Sequence, residues 1–485
     1  MAGSGALVAA LTGPPAGPGR DRPEQGNPSA TGDLEGPGNP SGWEGPSAHG
    51  SPPERRGLLR HGAAGLATAA AAAGGQFALV LVVTRSLSPQ AAGAFFTATA
   101  LCLMLAGVVR LDTGNGLVHA LARNRPAGDA GRDGSHRLVR GVLAPVAALA
   151  SVTGAGVAVA AGPLAGLTGV PGGVWVVLAA SLPFVVLSDV LICATRGLGT
   201  MRPTLLLTGA VQPLGQLALV TAAVLCAAPP PVLAAAWALP AVAGAVLAAV
   251  RLRGLGPCDV GEVGAFWRHT APRSVAAALQ SVFQRLDVVI VALLAGPAAA
   301  AVYTAATRFK VLGQLAGQGL AQAAQARLVR ALAEGDLDGA RALYRTTTRW
   351  LIALTWPLWL GYAALAPWLL PLFGPAYAGG SVIALVLSAT MMVATACGMV
   401  DVVLVAGGRT AASLANVAVA VAVTIALDML LVPAYGALGA VLGWSGGVLV
   451  KNLLPAVQVH RRYGLLPLGL RRPAPATAAR MRAAS

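Results

Sequence analysis

From Gly62 onward the chain is a succession of apolar segments of 20 to 27 residues, and no other feature constrains its fold as tightly. At a rise of about 1.5 Å per residue, each such segment crosses a hydrocarbon core roughly 30 Å thick as a helix. The segments fall at 62–84, 91–112, 138–161, 172–194, 204–227, 231–250, 272–296, 299–325, 349–371, 379–403, 411–433 and 437–459. The expectation is an all-α membrane protein of about 12 transmembrane helices. Composition agrees: 56% of residues are apolar and 11% charged, against about a quarter charged in soluble domains.

A net charge of +16 in a soluble chain would suggest nucleic acid, but its placement gives a topological reason. With the N-terminus taken as cytoplasmic, 27 of the 34 Lys and Arg fall in inner segments, among them Arg55, Arg123, Arg251, Arg327, Arg409 and Arg461. The outer loops carry one, Arg85, and six lie in or at the ends of helices. This positive-inside bias places both termini in the cytoplasm and removes the case for a nucleic-acid partner. Arg outnumbers Lys 32 to 2, which fits a GC-rich bacterial genome. The outer connections are short, such as 86–90, 228–230 and 297–298, so they offer little from which to build an extracytoplasmic active site. The five cysteines, Cys102, Cys193, Cys226, Cys258 and Cys397, form no CxxC pair and have no metal-ligand spacing. Neither disulfides nor a metal site is expected.

Residues 1–56, rich in Gly, Pro and Ser, read as a disordered cytoplasmic tail. A six-helix N-terminal lobe over 57–259, a six-helix C-terminal lobe over 260–464 and a basic cytoplasmic tail over 465–485 complete the expected organisation. A parallel repeat relates the lobes. SPQAAGAFFTAT (Ser88 to Thr99) aligns with GPAAAAVYTAAT (Gly296 to Thr307), 208 residues later, with Pro89 over Pro297 and Phe95 over Tyr303. Arg202 lies 207 residues before Arg409, each in the inner loop before the fifth helix of its half. Six helices followed by six in the same orientation, facing one another across a central cavity, is a transporter plan.

The stretches Val83 to Arg123, QRLDVVIVALLAGPAAAAVYTAATRF (Gln284 to Phe309), LLPLFGPAY (Leu369 to Tyr377) and LVPAYGALGAV (Leu431 to Val441) resemble the polysaccharide biosynthesis, or O-antigen type, flippases. That family belongs to the multidrug, oligosaccharidyl-lipid and polysaccharide exporter (MOP) superfamily. The resemblance runs from about Gly57 to Gly464. It implies a two-lobed transporter of twelve to fourteen helices, not an enzyme, that moves undecaprenyl-linked sugars outward. It also implies a lipid-linked glycan partner, with a polysaccharide polymerase or glycosyltransferases as functional neighbours.

Polar side chains within the membrane are the candidate substrate contacts, because ionisable groups facing lipid cost several kcal/mol. Arg273, Gln280, Gln284 and Asp287 lie on one face of helix seven, at spacings of seven, four and three. Helix eight carries Thr304, Thr307, Lys310, Gln314, Gln318, Gln322 and Gln325 in a second stripe. Interhelical hydrogen bonding accounts for single glutamines; two facing stripes favour a wet cavity. Arg285, Asp287, Arg308 and Lys310 lie nine or eleven residues from the turn between the two helices, a common depth of about 14 to 17 Å. One carboxylate among three cations leaves positive charge over, which fits a visiting phosphate; a charge cluster that merely locks the two helices is the alternative. Lys451 and Gln76 are further cavity candidates. Arg110 and Asp112 fit snorkelling at an interface, and Asp189 and Asp401 fit capping or pairing. The membrane carboxylates, Asp428 among them, are candidates for proton or sodium coupling, with no spacing that marks an ion site and no other cofactor expected.

The leading functional expectation is thus an alternating-access flippase for lipid-linked oligosaccharide. A multidrug/cation antiporter would favour an acidic cavity. A lipid II flippase usually has fourteen helices, and a membrane glycan polymerase or transferase requires larger outer loops.

Overall fold

The computed structural model describes residues 52–123, 129–197, 202–251 and 260–464. Among these residues the structure is almost wholly helical, with no strand. The first half runs α1 (Pro52–Ser86), α2 (Pro89–Val109), α3 (Thr113–Arg123), α4 (Asp129–Val159), α5 (Ala161–Thr168), α6 (Gly172–Gly197), α7 (Arg202–Leu206), a π turn (Leu207–Val211), α8 (Gln212–Leu225) and α9 (Pro230–Arg251). The second runs α10 (Val260–Thr307), α11 (Lys310–Ala333), α12 (Leu337–Leu369), two 3₁₀ turns over 370–380, α13 (Ser381–Ala396), α14 (Val400–Ala406), α15 (Thr410–Tyr435) and α16 (Ala437–Tyr463). Apart from Pro52 to Arg56, where α1 begins, the expected N-terminal tail lies outside the described residues, as does the whole C-terminal tail.

Eleven helical stretches are long and apolar enough to cross a membrane, and one of them, Arg273–Thr307, is a hairpin. At Gly296 the backbone leaves the helix (φ 85°), a conformation natural to glycine. Pro297 then starts the second arm, where its fixed φ suits a first helical position. The fold-back is proved by contact: the Tyr303 hydroxyl donates to Asp287 at 2.5 Å, although sixteen residues of continuous helix would hold them about 24 Å apart. Helices seven and eight of the sequence map are therefore present as two arms, with a difference. The expected helix 299–325 breaks at Arg308 and Phe309, and its polar remainder continues as α11 to Ala333.

Other boundaries move for physical reasons. Helix α12 starts at Leu337 rather than 349, with Asp336 accepting from the Gly339 N–H at 2.8 Å as its N-cap. Its first three turns are an amphipathic extension bearing Arg341, Arg345 and Arg349. The tenth span stops at Cys397, because Gly398 takes φ 70° against the Thr348 side chain, and resumes as α14.

In the first half, α4 and α9 flank α6 while α1 lies on α8; in the second, α15 pairs with α16 and α12 with α11 and α13. The most extensive helix pair crosses between the halves, joining α2 to the first arm of α10. Small residues make it possible. A Cβ on Gly93 would sit 1.7 Å from the Pro297 carbonyl oxygen, and one on Gly107 would sit 2.4 Å from the Ser281 hydroxyl oxygen, so both ends of α2 demand glycine. We call the end holding 86–89, Gly296 and 370–380 the short-loop face, and the opposite end the long-loop face. On α12, Trp350 and Trp368 are 65% and 69% exposed and eighteen residues apart, about 27 Å along the helix. Two outward tryptophans at that spacing fit the aromatic belts of a bilayer.

Candidate functional site

The charged residues near the middle of α10 do not share their charges evenly. Asp287 is 1% exposed and takes three donors: the Tyr303 hydroxyl at 2.5 Å, the Val288 N–H at 2.9 Å and Lys310 Nζ at 3.5 Å. Lys310 also stands over the Trp444 ring, 4.8 Å from its centroid, a cation–π contact. Of the two cations that the hairpin sets opposite Asp287, it is thus Lys310 that pairs with it and not Arg308. Arg285 and Arg308 are left without an ion pair among the described residues. The Arg308 Nε is buried with no hydrogen-bond partner, and the two guanidiniums stand close enough to repel each other. Arg285 lies within electrostatic reach of Asp287 first, and then of Asp189 and Arg110 of the first half. Two half-buried guanidiniums held in no ion pair among the described residues are costly, of the order of several kcal/mol. The arrangement is chemically suited to an anion with several oxygens, which guanidiniums bind in bidentate fashion.

The other expected contacts are distributed around this pair. Lys451 Nζ donates to Gln280 Oε1 at 3.2 Å and lies 5.1 Å from the Phe283 ring centroid, so those two candidates satisfy each other. Gln284 is exposed on the same helix. Thr304 and Thr307 are buried, and the Thr307 hydroxyl donates to the Tyr303 carbonyl at 2.8 Å. Gln314 and Gln318 lie on α11, and their side chains fall outside the described set. Gln76 donates to Gln216 Oε1 at 2.8 Å, and Gln216 in turn donates to the Trp237 carbonyl at 3.1 Å. That places Gln76 in a bonded chain linking α1, α8 and α9.

Arg273 has a different position from the one expected of a cavity cation. It pairs with Asp112 at 3.1 Å, with side-chain exposures of 10% and 7%, and so bridges the two halves at the long-loop face. Beside it, Ser274 Oγ donates to the Leu111 carbonyl at 2.5 Å. Leu111 and Asp112 both hold positive φ, 50° and 51°, a conformation that costs a non-glycine residue energy and persists only where its surroundings enforce it. Burial pushes the Asp112 carboxyl above the usual carboxylate range, while the Asn115 amide and Arg273 act in the opposite sense. Arg110, read from sequence as snorkelling, instead pairs with Asp189 at 3.2 Å. Asp401 accepts from Ser413 at 2.5 Å.

Two groups carry more weight here than their sequence context suggested. Tyr303 stood only as the repeat partner of Phe95, yet its hydroxyl holds the one carboxylate beside the cations. Asp428 is fully buried, and neither of its oxygens has a hydrogen-bond partner among the described residues. It lies close enough to Asp287 for their charges to interact. The signal for its burial was present in Gly439, Gly443 and Gly447: a Cβ on Gly443 would meet Asp428 Oδ1 at 1.9 Å, so glycines on α16 let that helix close over the carboxyl.

The MatE family model matches residues 272–430, a stretch that contains α10, α11 and the cationic cluster. No match to a curated protein sequence was found. Among solved structures, the lipid II flippase MurJ in an inward closed conformation superposes with a TM-score of 0.68 at 12% identity, covering 81% of this chain and 86% of that one. A multidrug resistance MATE family transporter of the MOP superfamily, inward-facing, gives 0.64 at 18% identity, covering 80% and 94%. A MOP superfamily transporter from Pyrococcus furiosus, described by a reverse polarity of its binding pocket, gives 0.55 at 17% identity, covering 83% and 95%. The chain is a multi-pass membrane protein with the fold of the MOP-superfamily transporters.

Proposed function

We propose that the protein is a flippase that exports undecaprenyl-linked oligosaccharide across the bacterial plasma membrane for surface polysaccharide assembly, with both termini in the cytoplasm. It does so by alternating access between two lobes around a central cavity, without covalent chemistry. The observation that carries the reading is the pair Arg285 and Arg308: two guanidiniums at the level of Asp287, one of them with a buried unpartnered Nε, and neither held in an ion pair among the described residues. A pyrophosphate that links lipid to sugar supplies the charge and the oxygens they lack. An exporter of cationic drugs has the opposite electrostatic need, and the Pyrococcus furiosus relative is evidence that pocket polarity varies on this fold. Energy coupling we assign to the buried Asp428, since a proton or a sodium ion would neutralise a carboxylate whose oxygens have no hydrogen-bond partner among the described residues.

The likeness to MurJ favours a second reading, lipid II, whose pyrophosphate the same pair would bind. The test is flipping in proteoliposomes, with lipid-linked oligosaccharide and lipid II as parallel substrates and a melting curve for each variant. Arg308→Ala is expected to fold normally and lose transport, and Arg308→Lys to recover little, because an ammonium lacks the planar fork. A stable Arg308→Ala that transports at the wild-type rate would remove the phosphate site. Transport of lipid II alone would give the second reading preference.

A further inference from the structure

The two-residue break between α10 and α11 contains Arg308 and Phe309. It joins the cationic cluster to a second feature, an aromatic cluster that runs from that depth up to the short-loop face. Phe309 stacks on Tyr362 of α12, with centroids 4.1 Å apart and planes at 23°. Phe77 of α1 meets Phe309 and Phe373 edge-on, at 5.4 and 5.5 Å. Phe373 in turn contacts Tyr377 at 6.4 Å. Phe77 comes from the first half of the chain and the other four rings from the second, so the cluster closes one half onto the other. Arg85 reinforces it, its Nε donating to the Leu372 carbonyl at 2.6 Å.

The break itself is soft. The backbone bonds flanking it, Arg308 N–H to the Ala305 carbonyl and Val311 N–H to the Arg308 carbonyl, are both 3.3 Å and span three residues, a poorer geometry than the α-helical bond. The Tyr362 hydroxyl donates to the Ala306 carbonyl at 2.6 Å, so one side chain both supplies a partner to the broken helix and stacks on Phe309. Arg308 and Phe309 are consecutive, and no helical turn separates their motions.

We propose that Phe309 and Tyr362 are positioning residues that couple a phosphate on the Arg308 guanidinium to release of the aromatic seal around Phe77. This rests on the phosphate-site reading above. An anion that draws the Arg308 side chain toward Arg285 turns the peptide it shares with Phe309. Phe309 then slides off Tyr362, Phe77 loses the ring it packs against, and the short-loop face opens with the substrate already bound. Empty, the break rests with Phe309 stacked and the face sealed.

The experiment uses spin labels on cysteines placed at Ser86 and Ala376, exposed positions on the two sides of the seal, in full-length protein whose native cysteines are replaced. The distance distribution is measured by electron resonance with and without farnesyl pyrophosphate, and the melting temperature is recorded on the same samples. The wild-type pair is expected to widen by several ångströms with the probe. Phe309→Ala is expected to be wide in both conditions while still gaining melting temperature from the probe. Tyr362→Phe, which keeps the ring and loses the bond to Ala306, is expected to widen at lower probe concentration. Binding without widening in the wild type, or a Phe309→Ala protein that stays closed, would overturn the coupling and leave the phosphate site standing. A probe that shifts no melting temperature in the wild type would overturn the phosphate site and the coupling with it.

Discussion

Replacing Asp287 with Asn removes the carboxylate that Lys310 and Tyr303 share, and the structure sets the size of the effect. At 3.5 Å and an effective dielectric of about 20, the Asp287–Lys310 attraction is worth about 5 kcal/mol before desolvation is subtracted. Stranding one member of a buried pair costs about 3–5 kcal/mol, and Asp287→Asn strands Lys310 beside two further uncompensated cations. Lys310→Met should cost less, about 1–3 kcal/mol, because Asp287 keeps the Tyr303 hydroxyl and the Val288 N–H. The double variant restores the charge balance, and replacement of a buried pair by apolar or neutral groups is often close to neutral. It should therefore be more stable than Asp287→Asn alone, with a coupling of about 2–3 kcal/mol. Unfolding equilibria in mixed micelles give the four free energies of the cycle. Additive losses, within about 0.5 kcal/mol, would refute the assignment of Lys310 as the partner and return the question to Arg308.

Gly93→Ala and Gly107→Ala should both lower the melting temperature sharply, because the added Cβ would meet the Pro297 carbonyl oxygen at 1.7 Å in the first and Ser281 Oγ and Cβ at 2.4 and 2.7 Å in the second; a wild-type melting curve for either would contradict the close α2–α10 seam. Asp112→Asn should loosen the long-loop closure, since it frees Arg273 and relaxes the positive-φ corner. Faster alkylation of a cysteine substituted at Ser274 measures that loosening, and an unchanged rate argues against it. Reporters fused after Gly166, Pro230, Pro297 or Tyr435 should read outside and those after Gly199, Gly335 or Gly408 inside, and two or more reversals would overturn the proposed orientation.

What the sequence makes legible here is what depends on local length and polarity. The spans are visible because each needs its own apolar run, and the Gly296–Pro297 turn because both residues punctuate helices. The common depth of Arg285, Asp287, Arg308 and Lys310 follows from counting outward from that turn, and the Asp287–Lys310 bond sets those two side by side across the hairpin. Hidden were the relations that cross between the halves. Asp112 and Arg273 are 161 residues apart, and nothing local to Asp112 separates a snorkelling end from a bridge. The break at Arg308–Phe309 has no glycine or proline to announce it; it depends on Tyr362, supplied by a helix more than fifty residues away. Asp428 stood among several membrane carboxylates with no spacing to single it out, and its burial is a property of the glycines on the neighbouring helix.

The tryptophans of α12 have a consequence for the lipid as well as for the protein. Anchored about 27 Å apart, Trp350 and Trp368 match a fairly thin hydrocarbon layer, and a thicker one imposes hydrophobic mismatch that a helix relieves by tilting or by stretching its surroundings. Tyr362 lies between those two anchors on the same helix, six residues from Trp368. A tilt of α12 imposed by acyl-chain length would therefore carry Tyr362 with it, and with Tyr362 the ring on which Phe309 is stacked.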